Sequence, residues 1–273
     1  MENGTITYTQ LLREDLGIFR VTPDDGVPDF KAGQFLTLGL PLDGQIVNRA
    51  YSISSSPENK NFFEFVIRWV RKPLPGRLTS LLFNAKEGDK ISWAKPAGSL
   101  TINDTLPNGE KDTRRIVCIG GGTGLAPFVS FAQHLHDTND KREIVVLHGA
   151  SYVDELSYKD LLTGLENESI DKGADKWNFK YRAAISRPQE WTNRAWHGHK
   201  GRIEQFLRYN DGGKSSLEEL VGEKITKDNT MFYVCGWQGT IDGVMDYLNA
   251  KNFVTEKNKR EDGSYEVKFE SYG

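Results

Sequence analysis

Two patterns of apolar and polar residues divide the chain. Over the first hundred residues, short stretches at 5–12, 17–22, 34–40, 47–53, 62–70 and 90–93 read as strands. Turn signals separate them: Pro23-Asp24-Asp25-Gly26, Asp43-Gly44, Ser56-Pro57 and Glu87-Gly88-Asp89. Repeated short strands punctuated in this way predict an antiparallel β-barrel of Greek-key type, with one helix near 76–84. A polar stretch at 103–113, containing Pro107, Asn108 and Gly109, reads as a linker. Beyond it the period changes. Apolar, β-branched runs at 115–119, 143–148, 179–184 and 230–235 alternate with amphipathic stretches at 126–136, 154–165, 203–209 and 240–248. Alternating strands and helices predict a parallel sheet covered on both faces. The expected organisation is therefore a β-barrel domain, residues 1–105, followed by an α/β parallel-sheet domain, residues 106–273.

Composition narrows the possibilities. With 273 residues, 14 Phe, 10 Tyr and 6 Trp, the chain can build the cores of two domains. A net charge of −3 gives no polyanion-binding character, so nucleic acid is not an expected partner. The two cysteines, Cys118 and Cys235, lie far apart, which excludes a cysteine-ligated iron–sulfur cluster carried by this chain. Neither a signal peptide nor an apolar run approaching the ~20 residues of a membrane span is visible, so a cytoplasmic protein with no membrane insertion is expected. His134-Leu135-His136 and His197-Gly198-His199 lack carboxylate or thiolate partners at ligand spacing, and no metal is expected.

The candidate chemistry lies at strand ends. Arg49-Ala50-Tyr51-Ser52 closes one strand and leads into a Ser/Pro loop. Arg offers a planar fork for phosphate, Tyr a flat face for a ring, and Ser a small hydroxyl. That trio suits a ligand with a phosphate at one end and a polar aromatic ring at the other, as in FAD. Gly76-Arg77-Leu78-Thr79 reads as a helix start with free N–H groups, a second candidate for the flavin pyrophosphate. Gly120-Gly121-Gly122-Thr123-Gly124 follows the first strand of the second domain and opens a helix. It is neither GxGxxG nor a P-loop, yet it can bring bare backbone N–H groups to a pyrophosphate, which makes this a nucleotide-binding domain by expectation. Cys235-Gly236 ends another strand, and two such ends could flank one crevice. Arg187, Lys200 and Arg202, near Ser186, could converge on a phosphate monoester or simply form a solvated surface. Arg68, Arg71, Lys72 and Arg77 make a local basic patch that could face an acidic protein or be solvated charge. Residues 190–200 carry no motif that can be placed.

Taken in order, these pieces resemble the ferredoxin–NADP⁺ reductase family, over nearly the whole chain. Arg49-Ala50-Tyr51-Ser52 is similar to its R-x-Y-S/T flavin motif, and Gly76-Arg77-Leu78-Thr79 to its second FAD segment. Residues 120–127 (GGGTGLAP) resemble its nicotinamide-side pyrophosphate loop, and 235–239 (CGWQG) its Cys-Gly loop. Phe269-Glu270-Ser271-Tyr272-Gly273 resembles a C-terminal tail that carries an aromatic ring over the flavin. The resemblance implies an FAD enzyme that exchanges electrons between NADPH and a one-electron protein carrier, ferredoxin or flavodoxin. It implies hydride transfer between nicotinamide C4 and flavin N5. It also implies that Arg49 holds the FAD pyrophosphate, Tyr51 and Tyr272 cover opposite faces of the flavin, and Ser52 hydrogen-bonds near N5. Gly76, Leu78 and Thr79 would complete the FAD site. On the NADP side, Gly122, Thr123 and Gly124 would hold the pyrophosphate. Ser186, Arg187, Lys200 and Arg202 would hold the 2′-phosphate. Cys235 and Gly236 would lie beside the nicotinamide, with Glu270 as a nearby polar or proton-relaying group. Other readings of the same architecture are the reductase component of an oxygenase, a flavin or cytochrome reductase, and a flavin-binding module that passes no electrons.

Overall fold

The computed structural model describes residues Met1–Tyr272; Gly273, the last residue of the expected tail, lies outside the described residues. The chain divides into two compact units, one of residues 1–102 with 126–138 and the other of 103–125 with 139–273. Helix Ala126–Asp137, which continues the chain from the glycine run, groups with the first unit.

The first unit is built on a six-stranded antiparallel sheet of the barrel type. Its strands are β1 (Glu2–Arg13), β2 (Leu16–Pro23), β3 (Phe35–Leu42), β4 (Gln45–Ser52), β5 (Phe63–Arg68) and β6 (Lys90–Trp93). They lie in the order β4-β3-β6-β1-β2-β5. Consecutive strands paired with distant ones, as β6 is with both β1 and β3, are what Greek-key expectation requires. The buried faces supply Phe19, Phe63, Phe65, Leu36, Leu38 and Trp93 to one core. Each such side chain contributes about 1.5–3 kcal/mol by leaving water. Helix α1 (Arg77–Asn84) adds Leu78 and Leu82, four residues apart and therefore on one face. Helix α2 (Ala126–Asp137) packs through an almost wholly buried sequence. Its Ser130 Oγ donates to Ser55 O at 2.8 Å, and its Gln133 Nε2 to Ser54 O at 2.9 Å, bracing the loop that follows β4.

The second unit is a six-stranded parallel sheet. Its strands are β7 (Arg115–Gly121), β8 (Ile144–Ala150), β9 (Phe179–Ile185), β10 (His199–Lys200), β11 (Thr230–Gly236) and β12 (Val267–Ser271), in the order β10-β9-β8-β7-β11-β12. β7, β8 and β11 are buried along nearly their whole length, which is why they read as continuous apolar runs and not as alternating ones. The helices are α3 (Lys159–Lys172), α4 (Ser216–Val221) and α5 (Gln238–Ala250).

Several elements depart from the sequence expectation: β10 and β12 bring the parallel sheet to six strands where four were expected. The helix expected at 154–165 begins only at Lys159, because Tyr158 takes a left-handed conformation (φ 59°) that ends the preceding turn. The Glu155 carboxylate reaches back to accept from Ser151 N and Tyr152 N, which holds that turn apart from α3. The helix expected at 203–209 is one 3₁₀ turn, Ile203–Leu207. Helix α4 was not expected, although Ser215 and Glu218 form a reciprocal capping box, a signal readable in sequence.

Candidate functional site

In the second unit the strand order reverses at β7. The next strand in sequence, β8, lies on one side of it and β11 on the other. The crevice at the carboxyl ends of strands flanking such a switch point is where open α/β sheets bind ligands. Here the register sets Gly120 of β7 opposite Cys235 of β11. The glycine run then turns through a 3₁₀ segment, Gly122–Leu125. Its glycines answer different needs. A Cβ at Gly120 would lie 2.8 Å from Leu125 Cα, and one at Gly124 2.3 Å from Cys235 O. Both positions are closed by backbone. Gly122 has φ +57° and nothing within 4 Å of where a Cβ would stand. Its backbone is open, and Thr123 beside it is half-buried.

β12 places the tail residues beside the same strand end. Cys235 pairs with Glu270 and Gly236 with Ser271, and Tyr272 N donates to Gly236 O at 3.0 Å. Cys235 is fully buried. Burial pushes its thiol up to about 12; the Glu270 charge adds to the rise, and hydrogen bonds from the Tyr272 side chain and the Gly236 backbone oppose it. A thiol so raised stays protonated at neutral pH. Burial also raises the Glu270 carboxyl above its ordinary value. Of the two groups, Glu270 is the one whose ordinary range lies nearer neutrality from below, and its shift is toward it.

At the other flank, beyond β8 and β9, Ser186 N donates to Ala150 O. The exposed Arg187 donates from Nη1 to Tyr152 Oη at 2.9 Å, with its guanidinium over the Tyr152 ring. Lys200 is exposed on β10. Arg202 is differently engaged. Its Nε lies 2.6 Å from Glu204 Oε1, and its Nη2 donates to Gly239 O at 2.9 Å. Gly201 N donates to Ile185 O, which sets the turn after β10 beside the end of β9, while the Arg202 side chain is engaged by Glu204 and Gly239. Sequence reasoning missed Tyr152 and Asn193 here, and also His148, fully buried on β8 opposite Gly120. A lone His, Tyr or Asn carries no spacing signal.

In the first unit, β4 is an edge strand with only Val47 and Ser52 buried. Arg49 is exposed, and its Nη1 donates to Asn48 O. The Tyr51 ring is half-buried, and its Oη is buried with no hydrogen-bond partner. Burial raises its phenol pKa, against the pull of Arg49. At α1, no side-chain cap satisfies the first-turn N–H groups, and the first turn holds Arg77 and no acid. Positive charge at the positive end of a helix dipole is a mismatch that an anion would relieve. Leu78 points into the core, and Thr79 Oγ1 donates to Gly76 O at 3.1 Å. Any ligand held by Gly76, Leu78 and Thr79 would meet their backbone, not their side chains. Among the described residues no group of His, Cys, Asp and Glu is arranged to hold a metal ion, and no helix is long and apolar enough to cross a membrane.

These features define a flavin- and nicotinamide-dependent oxidoreductase. A model of the oxidoreductase FAD-binding domain matches residues 4–102, and one of the oxidoreductase NAD-binding domain matches residues 118–246. The residues present fit both groups: an orphaned buried phenol oxygen and an uncapped helix start in the first unit, and an open glycine backbone at a switch point in the second. The ferredoxin–NADP reductase of Azotobacter vinelandii is 30% identical over 238 residues, covering 86% of this chain and 84% of that one. That of Pseudomonas aeruginosa is 37% identical over 146 residues, a stretch spanning about half of each (53%). The reductase component of propane 2-monooxygenase from Mycolicibacterium goodii is 28% identical over 87% of this chain and 60% of its own length. The crystal structure of a ferredoxin NADP⁺ reductase from Neisseria gonorrhoeae with bound FAD and NADP shares the fold, with a TM-score of 0.77 at 22% identity over 98% of this chain and 97% of that one. The chain belongs to the ferredoxin–NADP reductase family.

Proposed function

We propose that this protein exchanges electrons between NADPH and a one-electron protein carrier, ferredoxin or flavodoxin. A bound FAD supplies the chemistry that joins the two, accepting a hydride and releasing electrons singly. The reading assigns Arg49, Tyr51, Ser52 and the backbone of Gly76, Leu78 and Thr79 to holding FAD. Gly122, Thr123 and Gly124 are assigned to the dinucleotide pyrophosphate, and Ser186, Arg187 and Lys200 to its 2′-phosphate. Arg202 contributes less, because Glu204 already neutralises it. Cys235 and Gly236 shape the nicotinamide end; Glu270, its carboxyl raised by burial, is assigned as the polar or proton-relaying group there, and the tail strand brings Tyr272 to Cys235.

The observation that carries the reading is the pairing at the switch point, with Cys235 between Gly120 on one side and Glu270 on the other. It sets a buried thiol and a carboxyl raised by burial beside an open glycine turn. Such a cluster can bind and orient a ring without attacking it. The likeness to an oxygenase reductase component favours a second reading, in which the electron acceptor is an oxygenase partner.

The test is an anaerobic titration of the yellow protein with NADPH and, separately, NADH. Bleaching of the flavin band by NADPH and barely by NADH supports the nicotinamide assignment. Bleaching by neither would leave a flavin-binding module. Reoxidation of the reduced protein by ferredoxin or flavodoxin, and not by an oxygenase component, separates the two acceptor readings.

A further inference from the structure

The segment between β9 and β10 holds a 3₁₀ turn, Trp191–Asn193, that buries almost nothing apolar. Trp191 is 71% exposed and Thr192 is exposed, while the polar Asn193 is 1% exposed. A turn anchored by one buried amide calls for an account of what that amide does. Its Oδ1 accepts from Val153 N at 2.9 Å. Its Nδ2 donates to Ser151 O at 2.9 Å and to Arg187 O at 2.8 Å. Asn193 therefore ties the loop after β8, on both sides of Tyr152, to the backbone of Arg187 after β9. Within that brace, the Arg187 guanidinium donates to Tyr152 Oη at 2.9 Å and sits 5.4 Å from the ring centroid.

We propose that Tyr152 and Asn193 are positioning residues for dinucleotide specificity: they hold the exposed Arg187 fork in one orientation, ready for a phosphate monoester on the adenosine ribose. This rests on the reading that Arg187 meets the 2′-phosphate. An exposed arginine otherwise samples many rotamers, and freezing it on binding costs affinity. The phenol hydroxyl and ring restrict the guanidinium, while the buried amide fixes the backbone that carries it. A contact to one phosphate calls for this arrangement because guanidinium recognition is directional.

Binding alone tests this, by calorimetry with 2′,5′-ADP and with 5′-AMP, which lacks the 2′-phosphate. Arg187→Ala should weaken 2′,5′-ADP by roughly 10- to 100-fold, the loss of one charge-assisted contact, and barely change 5′-AMP. Tyr152→Phe keeps the ring and should cost 2′,5′-ADP about 2- to 10-fold, the loss of the hydroxyl that restrains the guanidinium, with 5′-AMP unchanged. Asn193→Ala should do the same or more. In an Arg187→Ala background, neither second substitution should weaken 2′,5′-ADP further, because positioning has no effect once the positioned group is gone. Equal losses for both nucleotides, or losses that add to that of Arg187→Ala, would assign the pair a merely structural role and overturn the proposal. An Arg187→Ala protein with unchanged discrimination would instead overturn the phosphate reading, and the proposal with it. If Asn193→Ala fails to fold, Tyr152→Phe decides the matter alone.

Discussion

Replacing Gly124 by alanine tests the close approach of the glycine turn to the end of β11. The added Cβ would stand 2.3 Å from Cys235 O, 2.6 Å from Cys235 C and 2.8 Å from Gly236 Cα. All three obstacles are backbone, so none can swing aside as a side chain would. The turn and the strand end must part by roughly 1 Å, or the β7–β11 register must yield. Overpacking of this kind costs about 1–3 kcal/mol, and the upper end applies when nothing flexible can absorb it. A displacement near 1 Å at a site that must orient a reacting ring can cost about 100-fold in rate. Gly122→Ala is the control. It meets nothing within 4 Å, and its φ of +57° limits the penalty to the left-handed strain of roughly 1–2 kcal/mol. Urea unfolding of both variants, with the rate of flavin reduction by NADPH, separates the two costs. Gly124→Ala should lower the urea midpoint more than Gly122→Ala and slow reduction strongly. A Gly124→Ala protein with the wild-type midpoint and slope would refute the reasoning, because the close approach could then not exist.

Three further predictions follow from the same geometry. Burial holds the His148 ring neutral and lowers its pKa from 6.5 to about 3, against the Gly122 backbone. The unfolded chain binds the proton more readily, so this contribution is full above pH 6.5 and lost as pH falls toward 3, at up to about 1.4 kcal/mol per unit. Urea unfolding at stepped pH should show that loss in the wild type and less of it in His148→Gln; identical slopes would remove His148 as the cause. Cys118 and Cys235 are both fully buried, with thiols raised by burial, so a thiol reagent at pH 8 should label neither in the native protein and both after denaturation. Labelling of the native protein at the rate of a free thiol would contradict that burial. Finally, Arg202→Ala should raise the NADPH Michaelis constant less than Arg187→Ala does, since Glu204 already engages Arg202; the reverse order would show that the Glu204 pair opens on binding.

The sequence by itself determined the class of each half. Short strands joined by tight Pro, Gly and Asp turns leave no room for a crossover and so favour antiparallel neighbours, and apolar runs alternating with amphipathic stretches favour a parallel sheet covered on both faces. The strand ends at Ser52, Gly121 and Gly236 were legible to within two residues because glycine and a change of period are local signals. The capping box at Ser215 and Glu218 was equally local and went unread. Tertiary structure alone decided why each glycine is needed, since the obstacle to Gly124 is a carbonyl more than a hundred residues away in sequence. It alone committed Arg202 to Glu204 and Gly239, and seated Arg187 on Tyr152. It also turned Asn193, unremarkable in a stretch without a motif, into a brace between two loops. A hydrogen bond or a steric contact depends on where two distant segments meet, and residue type and spacing do not encode that meeting until the sheet order brings the segments together.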